Sequence, residues 1–219
     1  MKKYYDVLKK CALFDGIADT ELDKMLGCLG ARVEKFDRKA VIFSEGSPAN
    51  YLGIVLSGSA QLVQVDYYGN RSILLAVEKS EMFAEAFACA GVDVLPVSVV
   101  ANEPCEVMII NSDHILHTCS NNCSFHQRMI FNLMKELASM SLVYYQKIDV
   151  VSKRTTREKL LAYLSFCAKK AGSNKFEIPF DRQALADYLE VERSGLSAEI
   201  SKMKKDGIIG CSKNRFELF

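Results

Sequence analysis

The chain has no uninterrupted apolar run long enough to cross a bilayer, which takes roughly 18 residues free of charge. Its opening residues, Met1-Lys2-Lys3-Tyr4-Tyr5-Asp6, have charge but no apolar stretch behind them, so no secretory leader is expected. It contains no Cys-x-x-Cys, no phosphate-binding P-loop, no Gly-x-Gly-x-x-Gly and no His-Glu-x-x-His. Those absences set aside a dithiol oxidoreductase, a P-loop nucleotidase, a dinucleotide-dependent dehydrogenase and a zinc hydrolase of that type. The expectation they leave is a cytoplasmic protein without enzymatic activity and without a membrane partner. A further scarcity is local: from Ser80 to Gln127 there is neither lysine nor arginine.

What is present describes a globular chain. Its 219 residues suffice for two domains, and 49% hydrophobic with 25% charged residues is an ordinary folded composition. Eight cysteines in a chain of this size, able to bury a core and lacking a leader, read as reduced thiols that pack as small apolar side chains. The net charge of +1 hides an asymmetry. Residues 151–219 carry 14 Lys and Arg against 9 Asp and Glu, leaving 14 against 18 for the rest. A basic end on an acidic body points to a polyanionic partner.

Periodicity divides the chain. Residues 6–30 read as short helices, with Asp19 as a candidate N-cap before Leu22, Met25 and Leu26. From about residue 32 to 110, short β-rich runs alternate with turn residues. Val41–Phe43 ends at Glu45-Gly46-Ser47-Pro48, Leu52–Leu56 at Ser57-Gly58, and Ala60–Val65 at the hairpin signal Tyr68-Gly69-Asn70. Ile73–Val77, Val97–Ala101 and Glu106–Ile110 follow. Strands this short and this regular predict a small closed or sandwiched β domain.

Residues 113–150 switch to helical spacing. Ile130, Met134, Leu137, Ser141, Tyr144, Ile148 and Val151 recur at steps of four and three, a heptad seam spanning roughly 30 Å of helix. Such a seam packs either on its own β domain or on a second chain as a coiled coil. The sustained heptads favour the second, with Leu133 beside Ile130, Met134, Leu137, Tyr144 and Ile148 as candidate dimer contacts.

In residues 152–219 a helix from Ser152 to Lys170 stops at Gly172, and Phe176–Phe180 is a short edge strand containing a proline. Helices over Asp181–Tyr188 and Arg193–Lys205 are joined tightly through Glu190-Val191-Glu192. Two strand-like runs, Ile208-Ile209 and Phe216–Phe219, flank a Lys213-Asn214 turn, completing a winged helix-turn-helix pattern.

Three stretches carry a resemblance across nearly the whole length. The first is Ile42-Phe43, Glu45-Gly46, Tyr51, Ile54, Gly58, Ala60 and Leu62, with Met82-Phe83-Ala84-Glu85 after it. The second is Arg154-Thr155-Thr156-Arg157-Glu158-Lys159-Leu160-Leu161-Ala162-Tyr163-Leu164. The third runs from Ile178 to Leu189 and from Val191 to Met203. The chain resembles the family of the cyclic-AMP receptor protein and the fumarate–nitrate regulator (Crp/Fnr). The resemblance implies an α+β fold with three parts. Residues 1–112 would form a β-roll sensor (a double-stranded β-helix of the cyclic-nucleotide-binding type), 113–150 a long dimerisation helix, and 151–219 a winged helix-turn-helix. It also implies a homodimeric transcription regulator that binds double-stranded DNA, works with RNA polymerase, and passes effector state along the central helix.

The reader can be derived residue by residue. On 193–204, Leu196, Ile200 and Met203 recur at i, i+4 and i+7 and face inward, leaving Arg193, Ser194, Ser197, Ser201 and Lys204 on the other side. Arg193 can meet guanine O6 and N7 in a fork, and Ser194 and Ser197 can bond base edges or phosphates. The plainer reading is that Arg193 and Ser194 only cap the helix. Arg182 and Gln183 match the family's phosphate-contact positions. Ala198 departs from the pattern, standing where members commonly carry a base-contacting arginine. The usual half-site is therefore not assumed, but a palindrome with half-site centres about 34 Å apart is expected.

The sensor is less explicit. The family prototype holds its cyclic nucleotide with a glutamate on the ribose and an arginine on the phosphate. Glu85 stands at the matching place, with Phe83 and Ser98 as companion effector candidates; the arginine does not. A buried phosphate needs a cation or several donors to offset its desolvation, so cyclic AMP is disfavoured. Glu85 then reads either as an effector contact or as a carboxylate satisfying its own turn. Ser80 and Ala84 replace the turn's glycines, which limits backbone approach. His114, His117, Cys119, Cys123 and His126 crowd into a short stretch, with Cys119 and Cys123 at i and i+4. They read as ordinary helix-end residues or, alternatively, as a redox or metal pair. The family's iron–sulfur branch needs an N-terminal cysteine cluster, and only Cys11 and Cys28 lie in that region, far apart, so such a cluster is not expected; nor is haem. The second functional reading is a cyclic-nucleotide-binding or thiol/metal redox-sensing module acting through protein contacts.

Overall fold

The computed structural model describes residues 2–116 and 124–219, and the chain divides into two compact units. One comprises Met1–Gln64 with Leu75–Ser141, the other Val65–Leu74 with Leu142–Phe219.

The first unit opens with a 3-10 turn at Lys2–Tyr4 running into α1 (Tyr5–Leu8), a second at Ala12–Phe14, then α2 (Asp19–Cys28). Ala18, not Asp19, occupies the N-cap of α2 and makes no side-chain cap bond. Asp19 is the first helical residue, where its charge still complements the helix dipole, and its carboxylate pairs with Lys9 at 2.8 Å.

The strands are β1 (Arg32–Phe36), β2 (Val41–Phe43), β3 (Tyr51–Ser57), β4 (Ala60–Val65), β5 (Arg71–Val77), β6 (Met82–Phe83), β7 (Ser98–Ala101) and β8 (Cys105–Asn111). The short helix α3 (Glu85–Ala90) lies between β6 and β7. The strands form one sheet ordered β1-β8-β3-β6 and another ordered β2-β7-β4-β5, in keeping with the closed or sandwiched β domain expected from the strand spacing and the β-roll implied by the family resemblance. The Tyr68-Gly69-Asn70 signal is a true turn: Gly69 sits at φ +84°, and Asp66 Oδ1 accepts from the backbone N–H of Tyr68 at 2.9 Å and of Asn70 at 2.8 Å.

The core of this unit joins Leu52, Ile54 and Leu56 of β3 to Met108 and Ile110 of β8, under Leu8, Leu13, Leu22 and Met25 from the N-terminal helices. After α4 (Asp113–Leu116) comes α5 (Ser124–Val151), whose Met129 and Leu133 enter the same core. Leu133 is thus not a dimer contact. Spaced i, i+4 from Met129, it shares the face turned into its own unit and is 2% exposed. The outer flank of α5 leaves Phe131, Met134, Leu142, Tyr145 and Ile148 more than half exposed, while Ile130, Leu137 and Tyr144 are half-buried.

In the second unit α5 gives way to α6 (Thr156–Ala171) at a capping box. Thr155 Oγ1 accepts from the N–H of Glu158 at 3.2 Å, and Glu158 Oε2 accepts from the N–H of Thr155 at 3.0 Å. That reciprocal pair starts the helix at Thr156 and not at the expected Ser152. β9 (Lys175–Glu177), α7 (Arg182–Leu189), α8 (Arg193–Lys205), β10 (Ile209–Ser212) and β11 (Arg215–Leu218) follow, with the strands ordered β10-β11-β9. β9 stops before Pro179, which has no N–H to donate to a ladder. Asp181 caps α7 by accepting from Ala184 N–H at 2.8 Å. Leu160, Leu164, Leu185, Leu189 and Phe216 are buried in this unit.

Candidate nucleic-acid interface and sensor site

α8 divides as its spacing requires. Leu196, Ile200 and Met203 are 0%, 4% and 0% exposed, whereas Arg193, Ser194, Ala198, Ser201 and Lys204 are exposed and Ser197 is half-buried. The N-cap of α8 is Glu192, which makes no side-chain cap bond, so neither Arg193 nor Ser194 fills the capping position. Both stand bare on the first turn, where the positive end of the helix dipole adds to the arginine's charge.

The other reader candidates are engaged within their own unit. Ser201 Oγ donates to the carbonyl of Ser197 at 2.9 Å. Lys204 Nζ donates to the carbonyl of Cys211 at 3.1 Å. Arg182 Nη2 reaches Cys211 Sγ at 3.4 Å, its guanidinium 6.0 Å from the centre of the Phe216 ring. Gln183 Nε2 donates to Asp187 Oδ1 at 2.8 Å. Cys211, which no sequence signal singled out, is therefore where Arg182 and Lys204 meet on the wing. Arg157 of α6, which the sequence marks only as part of the family pattern, pairs with Glu199 at 3.5 Å and Asp206 at 3.3 Å, tying α6 to α8.

The sensor candidates fall into three different settings. Glu85 opens α3 and is 3% exposed, and its Oε2 has no hydrogen-bond partner. Burial, then the Glu136 carboxylate, pushes its carboxyl above the usual range. Phe83 is buried edge-on to Phe43, ring centres 5.4 Å apart. It fills the space over Gly53, where any added Cβ would fall 2.0 Å from its Cζ; only glycine there admits this ring. Ser98 Oγ accepts from the N–H of Glu45 at 3.0 Å, which leaves its O–H as a donor. The turn keeps a glycine-type backbone without glycine: Ser80 and Ala84 sit at φ +74° and +64°, a conformation that costs an L-residue about 1–2 kcal/mol.

His114 Nδ1 lies 3.0 Å from the Leu29 carbonyl and buried His126 Nε2 lies 2.8 Å from that of Ile115, so each serves a backbone group. His117, Cys119 and Cys123 lie outside the described residues. Among the described residues no three His, Cys, Asp or Glu side chains are placed to share a metal ion. Burial pushes the Cys11 thiol up to about 12, which keeps it protonated. No described helix is long and apolar enough to cross a membrane.

Residues 33–122 match the family model for the cyclic nucleotide-binding domain, and residues 158–218 that for the Crp-like helix-turn-helix domain. The transcriptional activator protein FnrL of Cereibacter sphaeroides is 22% identical over 192 residues, covering 81% of this chain and 71% of that protein. The fold is shared with CLP, a c-di-GMP-responsive global regulator of Xanthomonas campestris. The TM-score is 0.74 at 16% identity, over 92% of this chain and 99% of that one. It is shared also with FixK2 of Bradyrhizobium japonicum, at a TM-score of 0.69 and 16% identity over 86% and 92% of the two chains. A domain of the cyclic nucleotide-binding type followed on one chain by a Crp-like helix-turn-helix places this protein in the Crp/Fnr family of transcription regulators.

Proposed function

We propose that the protein acts as a homodimer that binds a palindromic operator in double-stranded DNA, without catalytic activity, and that an effector at the β-roll sets its affinity. Arg193, with Ser194 and Ser197, reads base edges in the major groove from the first turns of α8. Arg182, Gln183, Ser201 and Lys204 face phosphates and fix the register. RNA polymerase is the downstream partner. The observation that carries this reading is the bare first turn of α8, with Arg193 and Ser194 exposed opposite the fully buried Leu196. The basic excess of residues 151–219 supports it. The exposed apolar flank of α5 supports two-fold pairing through Met134, Tyr145 and Ile148, with Ile130, Leu137 and Tyr144 at its margin.

At the roll, Glu85 is the polar anchor, because its Oε2 is buried without a partner and so can accept from an effector hydroxyl or amine. Phe83 shapes the wall behind it. The absence of Lys and Arg from Ser80 to Gln127 leaves no cation in that segment for a cyclic phosphate, which disfavours cyclic AMP. The test is binding to duplex DNA across salt concentration. Phosphate contacts give a log–log slope of about −0.9 per neutralised phosphate, so 6 or more contacts per dimer should cost roughly a thousandfold between 50 and 200 mM salt. A flat response would instead favour a module acting through protein contacts.

A further inference from the structure

Lys147 lies on α5 yet is 7% exposed, unusual for a lysine flanked by the exposed Tyr145 and Ile148. Its Nζ donates to the carbonyl of Tyr188 in the last turn of α7 and sits 4.0 Å from the centre of the Tyr188 ring. Glu190 Oε1 is 3.7 Å away. A second lysine completes the arrangement. Lys159 of α6 donates to the carbonyls of Leu189 at 3.2 Å and Glu190 at 3.3 Å. The C-terminus of a helix leaves its last carbonyls without intrahelical partners and carries partial negative charge. Here two ammonium groups, one from α5 and one from α6, take those carbonyls at the end of α7. Glu190 itself is the C-cap at φ +54°, and only Val191 and Glu192 separate it from α8. The Tyr188 ring that Lys147 covers also packs on Phe180 at 4.8 Å and Tyr163 at 5.0 Å, inside the unit's aromatic cluster.

We propose that Lys147 is a positioning residue that ties α5 to the helix-turn-helix connection, so that displacement of α5 is transmitted through the Tyr188–Glu190 turn to the presentation of α8. This rests on α8 being the DNA-reading helix. The link is a single buried ammonium, so it is sensitive to protonation. Burial brings Lys147 down to about 8; nearby Lys159 pushes the same way, Glu190 opposes, and Tyr188, itself pushed up to about 12, stays neutral. Deprotonation removes the ion pair with Glu190 and the attraction to the Tyr188 ring. For a base whose folded value lies below its unfolded one, the folded state holds fewer protons between the two. The fold therefore gains stability from this group as pH rises from about 8 toward the ordinary lysine value of 10.5, while the link to the turn weakens to the neutral amine's hydrogen bond to the Tyr188 carbonyl. Positioning and stability thus change in opposite directions, which a purely structural lysine would not produce.

The experiment begins by selecting an operator from a random duplex pool with the wild-type protein. Operator affinity is then measured from pH 6.5 to 9.5 for wild type, Lys147→Met and Lys147→Arg, with thermal unfolding in parallel. Expected are a drop of tenfold or more for Lys147→Met at pH 7 without a matching loss of melting temperature. Wild-type affinity should fall severalfold around pH 8, and the permanently charged arginine should hold its affinity up to pH 9.5. Equal affinity for wild type and Lys147→Met, or wild-type and Lys147→Arg profiles that coincide, would overturn the inference. If Lys147→Met does not fold, the wild-type and arginine profiles alone decide. Failure of the wild type to select any sequence would refute the DNA-reading function itself, an outcome distinct from the failure of the link.

Discussion

Replacing Glu85 by glutamine and by methionine isolates the cost of holding a carboxyl in the sensor. The side chain is 3% exposed and Oε2 has no partner. A buried polar atom left unsatisfied costs about 1–3 kcal/mol. The carboxyl is also raised, first by burial and then by Glu136. Below the ordinary carboxylate range both folded and unfolded states are protonated, and ionisation contributes nothing. As pH climbs from the unfolded toward the raised folded value, only the unfolded chain releases its proton, so stability falls; above the folded value the loss is complete. Glutamine is neutral throughout and removes the pH-dependent part. Methionine, of similar volume, removes the orphaned oxygen as well. At pH 7.5 without effector, Glu85→Gln should gain on the order of 1 kcal/mol and Glu85→Met about 1–3 kcal/mol. For a chain of this size that is about 2–4 °C in melting temperature per kcal/mol. Urea unfolding at pH 7.5 and at pH 4 measures both, and the glutamine advantage should vanish at the lower pH. A glutamine variant less stable than wild type at pH 7.5, or an advantage unchanged at pH 4, would refute the reasoning.

Leu196→Ala removes a fully buried anchor beneath α8 and should cost about 2–5 kcal/mol, abolishing DNA binding; circular dichroism melts would show it in the reader. Thr155→Ala breaks the capping box at the start of α6, and should cost about 0.5–2 kcal/mol by the same measurement. Met134→Lys with Ile148→Lys places charge on two residues that are each 58% exposed on α5, and sedimentation should show dimer turning to monomer. A dimer that persists would move the interface elsewhere.

Much of the reader was legible because its signals are local. The i, i+4, i+7 set Leu196, Ile200, Met203 decides which way α8 faces, and Asp181 with Gly172 marks helix ends by side-chain and backbone chemistry alone. The sensor's long-range pairings were less legible. β1 reads as a charged, half-exposed edge and β6 is two residues long, too short to carry a period. Spacing puts Leu133 beside the seam, yet α5 has two apolar flanks, and spacing alone does not say which one meets the chain's own core, where Leu133 lies. The same ambiguity put Tyr144 on the seam, whereas Tyr145 is the more exposed. Ser98 holds a partner that no local pattern shows, the N–H of Glu45, 53 residues away, which uses one acceptor position and leaves its O–H to donate. Lys147 gave no signal, because a lysine in a helix is expected to point to water.

The most direct measurement is a base-by-base affinity scan of the selected operator with wild type and Arg193→Ala. If Arg193 forks onto a guanine, the variant loses about 1–3 kcal/mol for the intact site and stops discriminating at one base pair in each half, symmetrically about the dyad, while other positions keep their preferences. Uniform weakening at every position, or no change at any, would mean that the first turn of α8 does not read sequence.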